Sequence, residues 1–342
     1  MSVEETTEAA LSGTNPLQQK PGHGLHHPGY RGWTGDLEAG WKRSLVIASV
    51  CIRRAWLSTW LKRMLLLAWL PAVWFGVGFF IWEQAVLDPA WRRSMVPFLQ
   101  GAPQTPEFMA ISDALRSGDL EAGRHTVWAW LLQSFFRYPQ GVLMVMVVGV
   151  IAPPLISQDI RSRAFLVYFS RPLTRGEYLI GKLAGIWVYL SAISTAPALC
   201  LYVLGILLSP GLNVIEATWD LPLRILAASA VLMLPTSILA LCFSSLTQES
   251  RYAGFAWFVT WILGWFTYGI VTSAGAFGGR DVLTQESPWT HLSLYHTLGR
   301  IQRWIFGFSD FRDALISTVI LLGVTVVSML ILIRRISAPM RV

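Results

Sequence analysis

The sequence predicts an all-α, polytopic membrane protein with six transmembrane helices, and three observations carry that prediction. Only 14% of the residues are charged, against about 25% in an ordinary soluble domain. A further 54% are hydrophobic, and they gather into apolar runs separated by short charged clusters. Runs of about 20 apolar residues match the hydrocarbon thickness of a bilayer, whereas a soluble chain must spread charge over its surface. The excess of 27 Lys and Arg over 20 Asp and Glu, a net charge of +7, could suggest nucleic acid. Yet the basic residues flank the apolar runs and form no stripe, so the bilayer is the expected partner and nucleic acid is not.

Residues 1–40 are rich in Gly, Pro, Thr and His without apolar periodicity, and are expected to form a disordered cytoplasmic tail. His23, His26 and His27 read there as solvated residues, since a flexible cluster does not pre-organise a metal site. No basic stretch followed by a short apolar one marks a cleaved signal peptide. Residues 41–63 predict an interfacial amphipathic helix. Lys42 and Arg53, like Arg43 and Arg54, return to nearly the same helical face, while Ile47, Cys51 and Ala55 point away. Trp41, Trp56 and Trp60 stand ready at headgroup level, with Lys62 and Arg63 at the end of the segment.

The six-span domain is expected over 64–335, with spans at 64–82, 141–157, 183–208, 225–246, 254–274 and 314–333, and a cytoplasmic tail at 336–342. The apolar run 127–136 is too short to cross and is placed at the outer interface. Pro106 to Ser117 and Thr290 to Phe306 read as amphipathic helices in the outer loops. The side holding Arg161, Arg163, Arg171, Arg175, Lys182, Arg334, Arg335 and Arg341 has the denser positive charge, so both termini are expected in the cytoplasm. Cys51, Cys200 and Cys242 lie in apolar stretches without metal-ligand spacing and read as small packing residues.

As drawn, the spans contain no Asp, Glu, Lys, Arg or His, which disfavours an ion-coupled carrier or a hydrolase inside the bilayer. Gly176 to Lys182 satisfies G-x-x-x-x-G-K, but Leu183 follows where a phosphate-binding loop needs Ser or Thr. The chain is therefore expected to bind no cofactor or metal, to have no catalytic residues and to hydrolyse no ATP. Two rival readings are a membrane scaffold or assembly factor that conducts nothing, and a membrane enzyme using His125, His291 and His296 in the outer loops.

The informative segment is 157–182. Pro172 disfavours helix at Arg171, and Thr174 with Glu177 three residues later makes a capping box. A helix, a break and a second helix result. Asp159, Arg161 and Arg163 precede Ala164, Phe165, Leu166 and Tyr168, a pattern suited to a short helix at the membrane surface. Pro153 and Pro154 just upstream are a candidate hinge, and Gly181 with Gly185 offers a small-xxx-small contact.

With Ser170-Arg171-Pro172-Leu173-Thr174-Arg175, Tyr178 and Gly181-Lys182 in this order, the segment resembles the permease subunits of ATP-binding-cassette exporters of the second class. The resemblance covers most of 41–335. It implies a permease in the cell (inner or plasma) membrane that pairs as a homodimer or heterodimer and binds two cytoplasmic ATPase subunits, which carry the ATP and magnesium. It also implies a cytoplasmic coupling helix whose docking residues are Asp159, Arg161, Arg163 and Phe165. The elbow behind it would comprise Pro172, Leu173, Thr174, Arg175, Glu177, Tyr178, Gly181 and Lys182. Members of that family export lipids, glycans, drugs and peptides, and the substrate is not legible here.

Overall fold

A computed structural model describes residues 40–100, 106–117, 119–169, 173–277 and 291–337, and every regular element in it is helical. The tail expected over 1–40 lies almost wholly outside the described residues, as do Ser170, Arg171 and Pro172. Six helical runs are long and apolar enough to cross a membrane: Thr59–Leu87, Gly123–Arg161, Arg175–Leu208, Val214–Leu246, Ser250–Ser273 and Phe311–Ser337. The second and fourth are 61% buried over their most apolar windows, against 22%, 17% and 22% for the first, fifth and sixth. Spans two and four are thus the centre of the bundle, and the other three turn most of their surface outward.

Helix α1 (Gly40–Trp56) buries Ser44, Ala48 and Cys51. It stops there, because Ser58 takes an extended backbone and its side chain caps α2 (Thr59–Leu87) by accepting from the Leu61 amide. The single helix expected over 41–63 is therefore broken, and Lys62 and Arg63 belong to span one. After α3 (Pro89–Gln100) and α4 (Pro106–Ser117), span two begins with α5 (Leu120–Phe135). A five-residue π-helical turn, Phe136–Gln140, leads into α6 (Gly141–Ile151) and α7 (Pro153–Arg161).

Span two departs furthest from the sequence expectation. The run 127–136, expected at the interface, lies within it, with Val127, Trp128, Leu132, Phe135 and Phe136 all buried. Gln133, which interrupts the run in the sequence, is buried within the helix, and just beyond the run Gln140 Nε2 donates to the Ala68 carbonyl (3.2 Å), next to the helix-loosening Pro71. At 39 residues and about 1.5 Å per residue, the run is roughly 58 Å long and must extend past a hydrocarbon core of about 30 Å.

The chain continues through α8 (Ala164–Phe169), α9 (Arg175–Leu190), a second π-helical turn Ser191–Thr195, and α10 (Ala196–Leu208). Helices α11 (Val214–Thr218) and α12 (Leu221–Leu246) make span four, α13 (Ser250–Phe277) span five, α14 (Leu294–Ile305) an amphipathic connection, and α15 (Phe311–Ser337) span six. Two apolar cores follow. One gathers Leu155, Ile156, Tyr178, Ile186, Leu241 and Trp257 near the loop at 157–182. The other gathers Phe79, Trp82, Trp128, Phe136, Leu221 and Phe306 toward the opposite end, called the far end below.

Candidate functional site

Pro153 and Pro154 open α7 and have no N–H to give, so the helix ladder is interrupted at their turn. Span four repairs it. The Ser244 hydroxyl donates to the Pro153 carbonyl (2.6 Å) and accepts from the amides of Ile156 (3.0 Å) and Ser157 (3.1 Å). A break that would otherwise strand buried backbone groups is stitched to α12 by one side chain.

One turn further, Asp159 is 5% exposed. Its Oδ2 accepts from the Lys182 ammonium (2.7 Å) and from the Tyr178 hydroxyl (2.7 Å), and Lys182 also donates to the Leu155 carbonyl (2.8 Å). Lys182 is itself 6% exposed and lies 5.3 Å from the centre of the Tyr178 ring. Both charges are therefore paired and hydrogen-bonded, the condition under which charge survives in a low-dielectric interior. The pair ties the two flanks of the 157–182 loop to each other.

Aromatic packing closes the tie from below. Phe165 of α8 meets Tyr178 edge-on at 5.5 Å, and Tyr168 lies 5.9 Å from the same ring. Burial, then the Asp159 charge, pushes the Tyr168 hydroxyl above its usual pKa. Asp159 and Phe165, expected as docking residues, thus face inward, where Asp159 meets Lys182 and Tyr178 and Phe165 packs on Tyr178, all on α9. Arg161 and Arg163 face outward. Arg161 reaches Glu249 at 3.2 Å across the surface, and Arg163 takes a left-handed backbone (φ 54°) that turns the chain from α7 into α8.

The second arm starts with the expected capping box: Thr174 Oγ1 accepts from the Glu177 amide (3.2 Å), and the Glu177 carboxylate accepts from the Thr174 amide (2.8 Å). Glu177 also pairs with Arg43 of α1 (3.4 Å), whose neighbour Ser44 donates to the Glu177 carbonyl (3.1 Å). Arg54 bonds Gln158, so α1 grips both arms. Gly181 and Gly185 are where α1 approaches: a Cβ would stand 2.8 Å from the Ser44 carbonyl at the first and 2.8 Å from Cys51 Cβ at the second. The partner of that small-xxx-small pair is α1. Burial pushes the Cys51 thiol upward in pKa, in keeping with a packing role. Arg175 donates to Ser337 at the end of span six (2.9 Å), and Leu173 packs partly buried against the same core.

The spans as bounded from the sequence hold no charge, but the helices as folded do. Besides Asp159 and Lys182, Glu83 (1% exposed) and Arg124 (5%) pair at 3.1 Å near the far end, with the Trp128 indole also donating to Glu83 (3.1 Å). The three histidines do not converge. His125 meets Asp220 (2.9 Å), His291 contacts Arg300 and Ser317, and His296 stacks on Tyr268 at 3.3 Å. Burial, then Arg137 and Arg300, pushes the His296 pKa down to about 3.

No polarity rule foretold Ser244, and the pairing of Asp159 with Lys182 could be read only as two opposite charges flanking one loop.

Comparison with known families adds one match: the model described as ABC-2 family transporter protein aligns with residues 104–335, well over half of the chain. No curated protein matches it. The chain belongs to the ABC-2 transporter family. It is a multi-pass membrane protein with the permease role in an ABC transporter, a family that works with an ABC ATPase subunit.

Proposed function

We propose that this ABC-2 permease serves an ATP-driven exporter, that ATP and magnesium are held by separate cytoplasmic ATPase subunits, and that residues 157–182 receive their motion. The single observation carrying this reading is the buried Asp159–Lys182–Tyr178 tie. A loop that only connected two spans would need no buried charge at its base. Here displacement of the α7–α8 turn is passed to span three through Lys182 and Tyr178 and to span four through Ser244. Helix α1, bonded to both arms, travels with them.

In this mechanism Arg161 and Arg163 meet the ATPase, while Asp159 and Phe165 transmit the push. The basic clusters at 41–63, 161–182 and 334–341 hold this side and both termini in the cytoplasm. The permease works as a dimer, so that two ATPases closing on ATP act on two copies of the loop.

The test is co-purification of the ATPase with the double variant Arg161→Glu, Arg163→Glu, alongside transport in cells and a topology assay. Loss of the partner and of transport with the spans correctly inserted is the expected result. Wild-type levels of both in an inserted variant would leave the loop as a topology signal only.

A further inference from the structure

At the far end, away from the coupling loop, a cavity of about 350 Å³ is lined by Ala110 of α4, His125, Thr126 and Ala129 of α5, Arg224 of α12, and the residues Phe306 to Phe308 after α14. Its volume is within the range of small-molecule sites, at about 300–1,000 Å³. Its polar wall is built. Both Asp220 oxygens are engaged: His125 Nε2 donates at 2.9 and 3.1 Å, and Arg224 Nε donates at 2.6 Å. Arg224 Nη1 donates to the Ile305 carbonyl (2.9 Å) and lies against Gly307, whose φ of 85° lets the chain pass close by.

What remains unused among the described residues is specific. Arg224 keeps Nη2 for an anionic oxygen. His125, bonded to Asp220 through Nε2, keeps Nδ1 for a second polar contact with a hydroxyl, and Thr126 keeps its own hydroxyl. The opposing wall of Phe306, Phe308, Ala110 and Ala129 is apolar. We propose that this cavity binds the anionic, hydroxyl-bearing headgroup of an amphiphile, of which a phosphoglycerol is the simplest, with its first carbons on the two phenylalanines. An amphiphile fits better than a free anion because charged donors and an apolar wall share one cavity, where spans two and four begin.

The probe is a fluorescent short-chain phosphatidylglycerol titrated onto the full chain in nanodiscs, with the phosphatidylcholine analogue as control. The expected preference for phosphatidylglycerol is at least about tenfold. Thr126→Val should weaken it by about fivefold, the worth of one hydrogen bond. Ala110→Trp, which fills the cavity from its exposed rim without touching the Asp220 bonds, should abolish it, with a circular-dichroism melt confirming the fold of each variant. Equal binding of the two headgroups, or wild-type binding in both variants, overturns the site. Competition by glycerol phosphate separates the sources: failure to displace the lipid supports the amphiphile, and displacement at equal concentration overturns it in favour of a free polyol phosphate.

Discussion

The two ends of the bundle both bury charge, but they connect it differently. At the far end the contacts run from span to span: Glu83 with Arg124 and Trp128 joins spans one and two, and Asp220 with His125 and Arg224, the last also bonded to the Ile305 carbonyl, joins span four to span two and α14. At the loop end Asp159, Lys182, Tyr178, Gln158 and Glu177 link α1, α7 and α9 into one network, and Ser244 extends it to α12. Contacts between spans fasten helices; contacts that tie the two arms of one loop also make those arms move together. Equal damage at the two ends should therefore cost similar stability and different function.

The largest effect tests that contrast directly. Asp159→Ala and Glu83→Ala each leave a buried cation without its partner and should each destabilise by about 3–5 kcal/mol, read as the loss of thermal stability in detergent. Only Asp159→Ala should abolish transport in the fraction that remains folded. Comparable transport per folded molecule in the two variants would erase the distinction. Next comes Ser244→Ala, which strands the Ile156 and Ser157 amides and should cost about 1–3 kcal/mol. Hydrogen exchange should then rise at these two amides and stay unchanged in α5.

A smaller loss, about 0.5–2 kcal/mol, is expected for Thr174→Ala, which removes the cap of α9. Transport should fall more than assembly with the ATPase does. The smallest effect on stability at neutral pH concerns His296. Its folded pKa of about 3 lies below the ordinary value near 6.5, so the folded state binds fewer protons than the unfolded one between those values. The seat of α14 is fully stable above about pH 6.5 and weakens as the pH falls toward 3. Protease sensitivity near α14 should increase below pH 6 in the native chain, and His296→Gln should flatten that dependence.

Much of this was legible in the sequence, for identifiable reasons. Apolar length gave the six spans, and local rules gave the capping box at Thr174 and Glu177 and the amphipathic helices near 106–117 and 294–305. Those signals lie within a few residues of each other. What escaped depends on residues far apart in the chain. The true length of span two was hidden because the run 127–136 is short and interrupted by Gln133, which only the fold buries, and because Arg137 and Gln140 beyond it find their partners on α14 and α2. Asp159 reads as a docking charge because its partner lies beyond the elbow, and Gly181 with Gly185 reads as a close helix contact whose partner, α1, lies too far away in the chain to be foreseen.

The central claim is that the loop's two arms move as one body when the ATPase binds ATP. Spin labels on Ser162→Cys and Gly176→Cys, both exposed, and on Leu212→Cys at the far end, in a Cys200→Ser background, measure it by distance distributions in the assembled transporter. The account predicts that the 162–176 distance stays constant on adding ATP while the distances from both to 212 change. Separation of 162 from 176, with 176 fixed relative to 212, would contradict it.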